Sequence, residues 1–232
     1  MKNKFFKTKK ALLDSQKNAF WMALILTIFV FAGGILLGFM LENSRTSQIS
    51  KLYQEAEINL LDVQIQSNLL SFSDLNCEYA IQENINFANN VYEEAKLLVQ
   101  YEEASRLSDA IKLQHKKYDL LRTLFWVNAI KLKEKCNASY HNLVYIYDYN
   151  EPRLDIKAKQ YVFSKILGDV REKQGDNVML IPIAGDNDIS SLRMLMNLYN
   201  ISESELPVIL IDEKIKITQV EKPEDIENLM VF

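Results

Sequence analysis

The chain has 232 residues and a formal net charge of −4, with 48% hydrophobic and 25% charged residues. Its first 18 residues hold six lysines and one aspartate, and the part after Leu41 holds 21 basic and 30 acidic residues. An acidic surplus of this kind repels phosphate groups, so the composition argues against a nucleic-acid-binding function.

Residues 19–41 contain no charged side chain and are predicted to form a transmembrane helix. At about 1.5 Å per residue the run is roughly 34 Å long, enough to cross a hydrocarbon core of about 30 Å. The lysines of residues 1–18 predict a cytoplasmic tail and place the rest of the chain outside the cytoplasm, in the cell membrane. A cleaved signal peptide is the alternative. The run exceeds the apolar part of a signal peptide and no A-x-A site follows it, which favours a retained signal anchor.

Residues 42–140 are predicted to form an all-helical stalk, because neither glycine nor proline occurs between Glu42 and Glu151. Three helices are expected, over about residues 44–70, 74–103 and 108–135. The sequence from Ser71 to Asp74 has the spacing of a capping box at the start of the second helix. Apolar residues at seven-residue intervals indicate helix-on-helix or coiled-coil-like packing in the first and third helices. They are Ile49, Ala56, Val63 and Leu70, then Ile111, Tyr118, Phe125 and Leu132.

The two cysteines, Cys77 and Cys136, have their midpoint in the proposed turn between the second and third helices. Residues equidistant from the turn of an antiparallel hairpin lie side by side, so the two thiols are predicted to meet. Outside the cytoplasm such a pair oxidises to a disulfide. Two buried free thiols are the alternative, since cysteine is often a small core residue.

The remaining residues, 141–232, are predicted to form an α/β domain. Strands are expected over 142–148, 178–183, 206–211 and 214–219, with the second of these central and Pro182 at its end. Helices are expected from Pro152 to Gln174, from Ser190 or Ser191 to Tyr199, and over 224–230.

This order of elements, with Leu206 and Pro207 opening the third strand, resembles the thioredoxin-like fold over about residues 142–232. The resemblance implies that Pro207 is cis and lies beside an active-site groove that binds extended peptide. It makes Leu206, Pro207, Tyr149 and Glu151 the candidate peptide-binding residues. The whole chain is also similar to small archaeal proteins in which an anchor and a helical segment precede a thioredoxin-like domain.

One departure from that family concerns catalysis. Thioredoxin-like oxidoreductases carry C-x-x-C where the first strand meets its helix, because the helix N-terminus lowers the pKa of the attacking thiol. Residues 148–155 read DYNEPRLD and contain no cysteine, serine or threonine. Disulfide exchange at the usual position is therefore excluded, and no catalytic residue is predicted.

Other candidate sites are few. His115 and His141 have no nearby partners in a metal motif, and charged neighbours predict that His115 lies on a solvated helix face. No metal and no cofactor is predicted. Asn137 and Asn200 begin N-glycosylation sequons, which matter only if this part of the chain is outside the cytoplasm.

The sequence therefore predicts a single-pass membrane protein with a redox-inactive thioredoxin-like domain that binds a protein or peptide, or acts as a scaffold, outside the cell. Two alternatives stay open. In the first alternative, the stalk and anchor oligomerise, and the small-xxx-small pattern at Gly34 and Gly38 favours this hypothesis. Otherwise, Cys77 and Cys136 form a cycling thiol–disulfide pair.

Overall fold

The computed structural model of the chain describes residues 2–105 and 109–230. Its contacts divide the chain into two compact units, Met1–Lys51 and Leu52–Phe232. Helix α1 (Lys2–Leu69) includes an apolar stretch, Phe20–Leu41, that is long enough to cross a membrane. Its large apolar side chains are 37–78% exposed, unlike those of a buried core helix. A helix of this kind near the N-terminus fits either a membrane span or a signal sequence.

Helices of the second unit pack through the apolar seams. After α1 come α2 (Cys77–Ser105) and α3 (Asp109–Cys136). Val63 on α1 is fully buried, and the side-chain amide of Asn128 on α3 donates a hydrogen bond to its carbonyl oxygen over 2.7 Å. The seam members Ala56, Tyr118, Phe125 and Leu132 are also buried, which confirms helix-on-helix packing. The side chains of Ile49 and Ile111, and the turn at 106–108, lie outside the described residues.

The start of α2 differs from the prediction. The amide of Tyr79 donates to Oδ1 of Asn76 over 3.1 Å, so Asn76 caps the helix. Ser71, expected to begin a capping box, instead donates its hydroxyl to the carbonyl oxygen of Asn68 at the end of α1. The capping-box interpretation was wrong because a serine hydroxyl can form a hydrogen bond with the backbone at either end of a helix.

A four-stranded mixed sheet follows, which confirms the α/β character of this part of the chain. Strands β1 (His141–Tyr147) and β2 (Val178–Ala184) are parallel, and β3 (Val208–Ile211) and β4 (Ile215–Ile217) are antiparallel to their neighbours, in the order β2-β1-β3-β4. The remaining helices are α4 (Leu154–Gln174), α5 (Ser190–Leu198) and α6 (Glu224–Glu227), with 3-10 turns at Gly175–Asn177 and Glu203–Glu205. The Leu206–Pro207 peptide bond is cis.

Each face of the sheet is covered by helices. On one face, Leu143 and Tyr145 of β1 pack in a core with Phe163 and Leu167 of α4 and Ile226 of α6. The strand's alternate residues, Val144 and Ile146, are fully buried on the other face, where α3 contacts β1, β2 and α5. The helical segment therefore forms one wall of the domain core.

Strand β2 lies at the outer edge of the sheet, although the sequence predicted a central strand ending at Pro182. Proline has no amide hydrogen, so an edge position accommodates it inside the strand, opposite Tyr145. Helix α2 runs along this edge. On the face of the sheet that α4 covers, Tyr92 of α2 packs on the core. On the opposite face, the side-chain nitrogen of Asn84 lies 3.3 Å from the sulfur of Met179.

Candidate functional site

The β1–α4 junction, residues 148–153, is the first part of the candidate site. Because β1 and β2 are parallel, this junction lies beside the loop that follows β2, residues 185–189. The Asp186 carboxylate of that loop accepts the backbone amides of Tyr149 and Asn150 over 2.8 and 2.9 Å. It also accepts the side-chain amide of Asn150 over 2.8 Å. These hydrogen bonds hold the β1–α4 junction against the loop that follows β2.

Asp148 completes a carboxyl pair with Asp186. Burial, a hydrogen bond with Asp186 and the charge of that residue raise the pKa of Asp148 to about 6. Burial opposes the ionisation of Asp186 too, but the amides of Tyr149 and Asn150 outweigh it and lower the Asp186 pKa. Two neighbouring carboxyls whose pKa values are driven apart in this way hold one proton between them below about pH 6.

A cavity of about 410 Å³ opens beside the junction, between α2, α4 and the sheet face that α4 covers. We call it the tyrosine cavity, because five tyrosines line it: Tyr92, Tyr145, Tyr147, Tyr149 and Tyr161. The rings of Tyr145 and Tyr147 are stacked with their centroids 5.4 Å apart. A volume of this size falls within the range of small-molecule sites.

The wall between the cavity and the junction is fixed by Gln160 of α4. Its side-chain oxygen accepts the Asp148 amide over 2.9 Å, and its side-chain nitrogen donates to the Asp148 carbonyl oxygen over 3.1 Å. The Tyr145 hydroxyl donates to the Gln160 carbonyl oxygen over 3.1 Å. The first turns of α4 therefore hold the end of β1 in place.

Helix α3 contributes a buried ionic cluster, His115, Asp119 and Arg122, which share one helix face. The fully buried Asp119 carboxylate accepts the Asn187 side-chain amide over 2.6 Å and the Ala184 backbone amide over 3.2 Å. It lies 3.2 Å from Nε2 of His115 and 3.5 Å from Nη1 of Arg122. Burial raises the pKa of Asp119, and the two neighbouring side chains of the cluster oppose that rise.

His115 joins the ionic cluster to the junction. Its ring stacks on Tyr149 with the centroids 4.0 Å apart, and its Nε2 lies 3.3 Å from the Tyr147 hydroxyl oxygen. Only 6% of the residue is exposed. The sequence-based prediction of a solvated His115 was therefore wrong, because its lysine neighbours reach exposed carboxylates while the histidine packs against Tyr147 and Tyr149.

The predicted peptide-binding residues occupy different environments. Leu206 and Pro207 are buried, and a Cβ atom at Gly185 would lie only 2.9 Å from Cδ1 of Leu206. The loop after β2 is therefore packed closely on the Leu206 side chain. Tyr149 is half-buried against His115. Peptide binding at these residues stays a prediction.

Glu151 is shielded by Arg153. Arg153 donates from its backbone amide and from its guanidinium to the carboxylate, over 2.7–2.9 Å, and remains largely exposed. Glu151 therefore has a low exposed fraction because the Arg153 side chain covers it, and not because it lies deep within the domain. The side-chain and backbone bonds from Arg153 lower the pKa of Glu151 to about 2.

The two cysteines lie together at the base of the α2–α3 hairpin. Their sulfur atoms are 1.95 Å apart, at bonding distance, which confirms the predicted meeting of the two residues. Cys136 lies about 25 Å along α3 from Asp119, at about 1.5 Å per residue. The disulfide is therefore remote from the β1–α4 junction.

Both sequon asparagines are exposed and lie within two residues of the end of a helix. Asn137 comes after α3 and has a φ of 50°, and Asn200 lies just beyond α5 with a φ of 53°. Asparagine is one of the few residues that adopts this left-handed conformation readily, so both have a structural role as helix ends. Glycosylation there stays a prediction.

Comparisons with protein-family models, with curated proteins and with solved structures found no match for this chain. The chemistry of the site therefore rests on its own residues. The junction offers a carboxyl pair and no thiol, and the tyrosine cavity offers aromatic walls with a buried guanidinium. Among the described residues, no group of three or more histidine, cysteine or acidic side chains is placed to hold a metal ion.

Sequence reasoning missed Asp119 and Arg122 as site residues. A signal was present, since His115, Asp119 and Arg122 recur at helical spacing on one side of the apolar seam. Nothing in that spacing tells a buried charged face from a solvated one, because burial depends on how α3 crosses the sheet.

Proposed function

We propose that the protein is a single-pass membrane protein whose thioredoxin-like domain lies outside the cytoplasm and binds a ligand or partner without exchanging disulfides. The strand order β2-β1-β3-β4 supports the fold assignment, since the first two strands are parallel and joined by α4. A short antiparallel β3–β4 pair and a final helix complete the order that the resemblance implies.

The binding role is inferred from the β1–α4 junction, the position at which thioredoxin-like oxidoreductases carry their two thiols. At the β1–α4 junction the side chains bind one another, and the tyrosine cavity opens directly beside them. A fixed junction next to an aromatic cavity suits recognition of a ligand and offers no nucleophile for disulfide exchange. Peptide capture beside Leu206 and Pro207 remains a second mode of binding, which requires the loop after β2 to open because both residues are buried.

The location is tested by labelling single cysteines. Leu154 is 81% exposed, so Leu154→Cys in a Cys77→Ser/Cys136→Ser background gives one accessible thiol. A membrane-impermeant maleimide is expected to label it in intact cells. Ser15→Cys in the same background is the matched control for the tail and is expected to react only after lysis. Labelling of Leu154→Cys only after lysis would contradict the proposed topology.

The absence of disulfide exchange is tested on the full chain in nanodiscs. With dithiothreitol and insulin, we expect the rate of insulin reduction to equal that of dithiothreitol with empty nanodiscs. Acceleration that disappears in the Cys77→Ser/Cys136→Ser variant would instead favour a cycling pair. Alkylation of native membranes under denaturing conditions is expected to label both cysteines only after reduction.

A second candidate function is self-association. Ile58, Leu61 and Ile65 of α1 are 57–66% exposed and recur at alternating spacings of three and four, as in a coiled-coil seam. Cross-linking in membranes would then yield discrete dimers that Leu61→Gln/Ile65→Gln abolishes. Leu154→Gln is the control, since it replaces an exposed leucine elsewhere. Dimers that persist in the α1 variant would exclude this seam as the interface.

A further inference from the structure

We propose that the tyrosine cavity binds a small molecule with a planar aromatic body and a single carboxylate, and that the carboxylate pairs with Arg122. This inference deepens the proposed binding function and rests on it. It assigns to the cavity a ligand class that neither the fold nor the junction specifies.

The walls of the cavity favour an aromatic ligand. Tyr145 and Tyr147 form a stacked pair on the sheet face, and Tyr92 and Tyr161 border the space from α2 and α4. Aromatic rings prefer offset-stacked or edge-to-face contacts, and tyrosine adds a hydroxyl at the rim. Leu180 and Pro182 supply the apolar floor.

Arg122 gives the cavity its specific polar group. The residue is 4% exposed, and its Nε has no hydrogen-bond partner among the described residues. Its guanidinium stacks over the Tyr118 ring at 4.1 Å and is 3.5 Å from Asp119. The contact with Asp119 is made by Nη1 and leaves Nε unpaired within the described part of the chain. A buried guanidinium with an unused donor is suited to pairing with a carboxylate.

The charges around the opening favour an anion. Lys96 and Lys157 line the cavity together with Arg122, against one lining carboxylate, that of Asp148. Three cations and one anion attract a negatively charged ligand and disfavour a cationic one.

Gly168 provides a variant that blocks the cavity without harming the fold. It lines the cavity inside α4, and a Cβ atom there would lie an ordinary 3.7 Å from the Tyr92 hydroxyl oxygen. Alanine is therefore tolerated, and a longer side chain such as methionine projects into the space. Both replacements favour the helix more than glycine does.

The test is isothermal titration of the full chain in nanodiscs, with empty nanodiscs as the blank. The probes are 2-naphthoate and its uncharged isostere 2-naphthamide. We expect 2-naphthoate to bind saturably and 2-naphthamide to bind about tenfold or more weakly. Gly168→Met should lower the 2-naphthoate affinity about tenfold or more. The control is Met194→Gln, at a residue that is 73% exposed and does not line the cavity, and it should leave the affinity unchanged.

A charge-balanced variant tests Arg122 itself. Arg122→Gln/Asp119→Asn removes both charges of the pair, so that neither is left buried alone. Because Lys96 and Lys157 remain at the cavity, this variant is expected to lose most, but not all, of the preference for 2-naphthoate over 2-naphthamide. Absence of 2-naphthoate binding, equal binding of 2-naphthoate and 2-naphthamide by the unsubstituted chain, or unchanged binding by Gly168→Met would overturn the proposal. These outcomes are independent of the maleimide and insulin experiments, so failure of the ligand assignment is distinguishable from failure of the proposed function.

Discussion

The ionic cluster makes a quantitative prediction about stability. Replacing Asp119 by alanine removes the carboxylate that accepts amides from Asn187 and Ala184 and that lies 3.5 Å from the buried guanidinium of Arg122. Because Arg122 is 4% exposed, water solvates the guanidinium only weakly in compensation. The variant therefore loses both hydrogen bonds and charge neutralisation.

The size of the effect follows from the geometry. At 3.5 Å the attraction between the two charges is about 5 kcal/mol at an effective dielectric constant of about 20. Removing one partner of a buried ion pair typically costs about 3–5 kcal/mol. We expect Asp119→Ala to fall in that range. Arg122→Met keeps the aliphatic stem, so adding it to Asp119→Ala should restore at least about 1 kcal/mol.

The assay is urea unfolding of the full chain in detergent at pH 8. Trp126 is fully buried and reports unfolding by fluorescence, in a Trp21→Phe background that removes the other tryptophan. A cost below about 1 kcal/mol for Asp119→Ala, or strict additivity of the two substitutions, would refute the ion pair as a stabilising element.

Three further predictions concern the junction, the hairpin and two glycines. The raised Asp148 pKa means that this carboxyl binds a proton more tightly in the native state than in the unfolded chain, so its own contribution to stability should fall as the pH rises from about 4 to about 6. Asp148→Asn should remove that contribution, which is the difference between the two pH profiles. A carboxyl NMR titration midpoint near the ordinary value would contradict it. Replacing Cys77 and Cys136 by serine should lower the free energy of unfolding in urea by about 4 kcal/mol, because the disulfide closes a 59-residue loop. An unchanged unfolding midpoint would show that the two thiols are not bonded. Gly175→Ala should lower the free energy of unfolding by about 1–3 kcal/mol, since the φ of 55° at this position disfavours a side chain. Gly168→Ala should instead raise it by up to about 1 kcal/mol, because alanine favours the helix α4 more than glycine does. Thermal unfolding that shows the same direction of change for both variants would refute this account.

Local patterns in the sequence predicted the secondary structure of the second unit well. The alternation of apolar residues and the placement of proline and glycine located the four strands to within one or two residues. The hairpin argument predicted the meeting of Cys77 and Cys136 from nothing more than equal distance to a turn. Such features depend on neighbours along the chain or on simple geometry.

The candidate site was less predictable because it depends on long-range contacts. Burial of His115 and Asp119 arises where α3 crosses the end of β1, and no local pattern encodes that crossing. The edge position of β2 was also misjudged, since a run of apolar residues is typical of a central strand. Only the coverage of that edge by α2 explains how Pro182 and apolar side chains coexist there.

Both ends of the sheet are poor templates for another β-strand. At one end Pro182 lacks an amide hydrogen and α2 lies along the strand, and at the other end β4 is only three residues long. A chain that approached from the side would find little backbone to pair with, which protects the domain from edge-to-edge aggregation. The proposed recognition would therefore use side-chain chemistry at the carboxyl ends of β1 and β2 and not backbone pairing at the sheet edges.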